Sequence, residues 1–148
     1  MSSPAVALER ALVAGHGDFA VGIVSAAAQI TGRGEMFVSL TNRDLCTADV
    51  ESRMRDIIEQ EHIRVIFTDL PAGSCTMAAR RLQRERRDLL VVTGANLATL
   101  LEWCFLPPDA DVDVIRRAVE KGAASLHVLT PPDPGSLPPI TREDPRGH

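Results

Sequence analysis

With 148 residues, 45% hydrophobic and 24% charged, the chain has the size and balance of one globular domain with a substantial core. A formal net charge of -4 argues against a general nucleic-acid binder, because no net positive field rewards a phosphate backbone. No apolar run reaches the roughly 18 to 20 residues of a membrane span, and the start MSSPAVALER lacks the basic head and long apolar core of a signal peptide, so a cytoplasmic location is expected. Three cysteines, Cys46, Cys75 and Cys104, form no CxxC and are odd in number, which points to reduced thiols and to neither a disulfide framework nor a zinc site.

In chain order, a short apolar run at residues 11–14 (ALVA) leads through GHGD into helical spacing over 19–30. A second run at 36–40 (MFVSL) precedes a helical pattern over 50–60, a third at 63–67 (IRVIF) precedes one over 75–86, and a fourth at 89–92 (LLVV) precedes one over 97–105. Runs that are apolar on both faces and alternate with helices predict an α/β fold: an open, mainly parallel four-stranded sheet with helices on both faces. After the Pro107-Pro108 break, residues 112–121 place Val112, Ile115 and Val119 on one helical face, with Gly122 expected to close the helix. Residues 125–129 (SLHVL) alternate as an edge strand does. The last 18 residues hold six of the ten prolines and no periodicity, so the expected division is a folded domain over 1–130 and a Pro-rich tail over 131–148.

In open parallel sheets functional groups gather beyond the carboxyl ends of the strands, where the strand order reverses. His16 follows the first run and precedes the first helix, and its neighbours Gly15 and Gly17 permit a sharp turn around the ring. Asp69 follows the third run, with Gly73 and Ser74 beyond it at the start of the next helix, where Ser74 is expected to cap. A third loop of small residues, TGANL at 93–97, follows the fourth run. Each loop alone could be an ordinary strand-to-helix turn; three on one sheet edge suggest a site.

The chain contains neither GxxxxGK[ST] nor GxGxxG, and no second His or Cys stands near His16 at metal spacing, so no cofactor or metal is expected. What remains is an imidazole, a carboxylate and a hydroxyl beside helix N-termini. A neutral imidazole offers one ring nitrogen as nucleophile while a carboxylate on the other fixes the tautomer and stabilises the cation formed on attack. Phosphoryl transfer asks for little beyond in-line positioning and donors for the spreading charge, so the residues read as a histidine that accepts and passes on a phosphoryl group. The rival, Ser74 as nucleophile with His16 as base, lacks a GxSxG elbow.

The stretches GHGDFAVGIVSAAAQITG, VIFTDLPAGSCTMAARRL and LLVVTGANLATLLE, in this order and spacing, resemble the IIA component of the mannose/fructose/sorbose-type phosphoenolpyruvate-dependent sugar phosphotransferase system. The resemblance covers residues 11–129. It implies that His16 is the phosphorylated residue, receiving phosphate from HPr and giving it to a IIB component that serves membrane IIC and IID partners. It also implies that Asp69 orients the ring, that Ser74 with Gly17 and Gly73 lies at the phosphoryl group, and that a homodimer exchanges the strand at 125–129. Alternatives are a regulatory phosphoprotein of the same fold and the phosphotransfer subunit of a dihydroxyacetone kinase system, whose second loop resembles DLGSA more than DLPAGS. The chain departs from the family's usual residues at Gly15 (Ser or Thr), at Ala72 and Cys75 (GGSP), and at Met77 (Asn), all of which leave the nucleophile and carboxylate in place.

Elsewhere the expectations are structural. RRLQRERR at 80–87 reads as a solvated, ion-paired helix face, His62 as a partner of a helix C-terminus, and Trp103 and Phe105 as core. Cys75 at a helix start is expected to have a lowered pKa.

Overall fold

The computed structural model describes residues 9–135 and 140. Four strands, β1 (Arg10–Gly15), β2 (Phe37–Thr41), β3 (Ile63–Thr68) and β4 (Leu90–Val92), alternate with helices α1 (Phe19–Thr31), α2 (Thr47–Glu61), α3 (Ser74–Glu85) and α4 (Leu97–Cys104), and α5 (Val112–Ala123) follows. All pairings are parallel and the order is β2-β1-β3-β4. The sheet therefore grows outward in both directions from the β1/β3 pair, and the crevice where the order reverses opens above the ends of those two strands.

Both faces of β1 are covered, which is why its apolar run does not alternate. Ala11 and Val13 face one core, which holds Phe37, Phe67 and residues of α1, α4 and α5, including Trp103. Leu12 and Ala14 face the other, with Leu40, Ile66 and residues of α2 and α3, including Met54 and Leu82. All four β1 side chains are fully buried. Trp103 packs between Phe37 and Phe67, with ring centroids 5.5 and 6.1 Å away, whereas Phe105, expected in the core, is 66% exposed beyond the end of α4.

Arg10 occupies a position where an apolar residue would be expected, yet it belongs to the strand. Its guanidinium donates to the Glu35 and Phe37 carbonyls at 2.7 and 3.4 Å and pairs with the Glu61 carboxylate, tying the lower edge of β1 to β2 and α2. The pairing of β1 with β3 shifts register beside it, between Arg10 and Ala11.

Several boundaries differ from those the sequence predicts. Met36 lies in a 3₁₀ turn (Gly34–Met36) and not in β2, and α2 starts at Thr47 because its first turn, with Asp49 near the helix's positive end, is polar and carries no apolar period. Residues 125–129 join no strand among the described residues: the chain leaves α5 through turns closed by Ser125 N–H to the Gly122 carbonyl and Leu126 N–H to the Ala123 carbonyl, and nothing covers it. An alternating segment becomes a strand only when a sheet edge pairs with it, and this one meets none among the described residues. The expected tail lies largely outside the described residues, and 131–135 carry neither helix nor strand. No helix among the described residues is long and apolar enough to cross a membrane.

Gly122 does not close α5; it lies inside the helix, buried against the start of α4, where an added Cβ would sit 2.7 Å from Thr99 Cα and 2.8 Å from Thr99 N. In an open helix Gly→Ala gains up to about 1 kcal/mol. At a backbone contact this tight the sign reverses, so Gly122→Ala is expected to destabilise the protein by about 1–3 kcal/mol, as overpacking does, measured by denaturant unfolding.

Candidate functional site

His16 leaves β1 at its carboxyl end and Asp69 leaves β3 beside it, because the two strands are neighbours in register, with Ala14 opposite Thr68. One carboxylate oxygen, Asp69 Oδ2, accepts both the His16 backbone N–H at 2.8 Å and the ring Nδ1 at 2.7 Å. The carboxylate is 10% exposed and the imidazole 54%, so a buried acceptor holds a ring that faces solvent. Burial of Asp69 acts to raise its pKa, but the His16 backbone bond, the ring bond and the ring's charge outweigh it, and the carboxyl is held below its usual range. An ionised carboxylate only accepts hydrogen bonds, so Nδ1 carries the hydrogen and the neutral ring's lone pair is on Nε2. The second oxygen, Asp69 Oδ1, is buried without a hydrogen-bond partner.

The glycines make this approach possible. An added Cβ on Gly15 would lie 2.6 Å from Phe19 Cδ1 and 2.9 Å from Asp69 Cγ, so a side chain there would push the carboxylate from beneath the histidine. Gly17 has φ +52°, the left-handed conformation that turns the chain from β1 into α1. Gly73 brings its backbone beside the ring, its Cβ position being 3.2 Å from His16 Cε1.

Gly73 is the residue preceding α3, in extended conformation, so Ser74 is already helical and makes no capping bond, contrary to expectation. Its hydroxyl instead accepts a hydrogen bond from Asn42 Nδ2 at 2.8 Å. Asn42 belongs to the loop after β2, where Asn42 and Asp44 are turn-forming residues but nothing in TNRDL singles out Asn42 as a partner of Ser74. Its one signal is its place: a polar amide where an apolar strand ends on the same sheet edge. TGANL plays the opposite part. Its Asn96 forms a reciprocal cap with Thr99 of α4, at 2.9 and 3.2 Å, and also donates to the Gly122 carbonyl at 3.4 Å. The site is thus framed by the loops after β1, β3 and β2.

Cys75, expected to be acidified, is buried, and burial together with the Asp69 charge pushes its thiol up to about 11. Met77, where the family usually has Asn, is 49% exposed on α3. Arg81 and Arg86 pair with Glu51 and Asp88 at 3.8 and 3.2 Å, as a solvated face does, and His62 ends α2 in the left-handed conformation at φ +53°.

The family model described as "PTS system fructose IIA component" (EIIA-man) matches residues 10–120, three quarters of the chain. The chain belongs to this family. Solved EIIA structures share the fold. A mannose/sorbose specific IIA subunit from Enterococcus faecalis superposes with a TM-score of 0.71 at 20% identity, over 90% of this chain and 98% of that one. A IIA protein associated with a fucose utilization operon of Streptococcus pneumoniae gives 0.71 at 22% identity, over 81% and 92%. An EIIA component from Streptococcus agalactiae gives 0.68 at 23% identity, over 80% and 95%. Comparison with curated proteins gives no sequence match.

A carboxyl whose folded pKa lies below its unfolded value, near 3.9, contributes stability that is complete above that value and is lost as pH falls through the folded one. For this EIIA domain, Asp69→Asn is expected to remove part of the acid sensitivity. Thermal unfolding at stepped pH should show wild type losing stability from about pH 4 downward and the variant losing less of it across that window.

Proposed function

We propose that the protein is a phosphocarrier of a sugar phosphotransferase system, accepting a phosphoryl group from phospho-HPr on His16 and passing it to a IIB component. The reading rests on one observation above all: Asp69 Oδ2 lies 2.7 Å from Nδ1 of a half-exposed ring, an acceptor that draws the hydrogen to Nδ1 and leaves Nε2 with its lone pair. In uptake, that pair forms the bond to phosphorus while the donor's bond to phosphorus breaks and its electrons leave with the donor. The positive charge that develops on the imidazole is stabilised by Asp69. The three equatorial oxygens carry the negative charge, and the donors for it are the first-turn N–H groups of α3, which have no intrahelical acceptors, and the Ser74 hydroxyl, all following directly on Gly73, whose backbone lies beside the ring. Gly17 and Gly73 keep the approach to Nε2 open. The sugar is recognised by membrane IIC and IID components, and the carrier works in the cytoplasm.

The protein acts as a homodimer in which residues 125–129 of each copy pair with the other's sheet. Leu126, Val128 and Leu129 are 82%, 89% and 81% exposed, and along the outer side of β4 runs a groove lined by Leu90, Val92, Val112, Ile115 and Val119 that suits an apolar strand.

Incubation with phosphoenolpyruvate, Enzyme I and HPr, read by intact mass, should add one acid-labile phosphate that is absent in His16→Ala and acquired much more slowly by Asp69→Asn. No label in the presence of active HPr would overturn the carrier reading. Light scattering should give twice the chain mass, and a monomer at tens of micromolar, a concentration at which a standard-sized interface is formed, would overturn the exchanged strand.

A further inference from the structure

We infer that Asn42 is a positioning residue that acts through Ser74, setting the serine hydroxyl's hydrogen toward the phosphoryl group on His16; the inference rests on the phosphocarrier reading of the site. A serine hydroxyl has one hydrogen to give and two lone pairs to offer, and in an open site its rotor is undetermined. Asn42 Nδ2 removes that freedom by donating to Ser74 Oγ at 2.8 Å. An acceptor held in this way keeps its own hydrogen for another partner. The neighbouring Cys75 sulfur, buried and hydrogen-bonded with the Ser74 side chain, is a weak acceptor from which a stronger one would draw that hydrogen. A phosphoryl oxygen on Nε2 of the adjacent ring is a strong, charged one.

Asn42 is itself held from both sides. Its backbone N–H donates to the Gly15 carbonyl and its own carbonyl accepts the Leu45 N–H, both at 3.1 Å. The loop is braced against the His16 turn as well: the Thr41 hydroxyl donates to the Gly17 carbonyl at 2.9 Å, and Arg43 pairs with Asp18 at 3.1 Å. The amide therefore comes from a backbone fixed to the residues on either side of His16, and its aim does not depend on a flexible stem. The β2 loop delivers to the serine the service that Asp69 delivers to the histidine: it decides where a hydrogen goes.

The test is a double-mutant cycle on phosphoryl uptake from phospho-HPr, with Asn42→Ala, Ser74→Ala and the double variant, supported by the hydrolysis rate of each isolated phosphoprotein, which needs no docking partner. Each single change is expected to slow uptake about three- to tenfold, the scale of one lost hydrogen bond, and to shift the hydrolysis rate in the same direction. The double variant is expected to be no slower than Ser74→Ala, because Asn42 has nothing left to orient. Multiplying effects, or a normal Asn42→Ala beside a slow Ser74→Ala, would overturn the role of Asn42 and leave the carrier intact. Wild type that takes up no phosphate would overturn the carrier reading, and the role with it. Thermal melting separates a folding defect from these outcomes, and an Asn42→Ala protein that melts early is replaced by Asn42→Ser, which keeps a short polar group in the loop.

Discussion

One carboxylate oxygen carries the arrangement of this molecule's working edge. Asp69 Oδ2 binds the backbone and the ring of the same residue, so a single acceptor fixes where His16 sits and which of its nitrogens is free. A ring that is half in water would otherwise choose among rotamers and tautomers. Here the choice is made by a group that is itself almost wholly buried, and whose charge survives burial because the histidine supplies its donors.

That contact depends on the sheet below it. Parallel neighbours with matched register bring the ends of β1 and β3 to the same height, and packing on both faces holds them there. Gly15 then gives the carboxylate the space that a Cβ would occupy. The family's usual Ser or Thr before the histidine would not fit this geometry unchanged, so Gly15 and the position of Asp69 are two aspects of one local solution. The hydrophobic pattern, the loop and the hydrogen bond from the ring to the carboxylate thus form one causal chain from sequence to site.

The architecture was legible because a short apolar run that does not alternate needs cover on both faces, and strands separated by helices get that cover in a parallel sheet. His16 and Asp69 were legible because strand ends in such sheets are where polar groups converge. Ser74 stands at the helix start as expected but does not cap it, since sequence alone does not say whether Gly73 or Ser74 takes the extended position before the helix. Asn42 was missed for a related reason: its role lies in a contact 32 residues away in the chain, and no local signal records it. Residues 125–129 carried a true alternation with no partner strand among the described residues to satisfy it. Gly122 looked like a helix stop because closeness to another helix and termination of one leave the same letter.

The thiol of Cys75 stands one residue from Ser74, buried in the core beneath the proposed phosphoryl site. A sulfur anion would compete with the imidazole and divert the group onto sulfur. Burial and the charge of Asp69 push its pKa up to about 11, so the thiol stays protonated at neutral pH. Burial does most of this and the charge of Asp69 adds to it, so the carboxylate that orients the His16 ring also helps to keep the neighbouring thiol protonated.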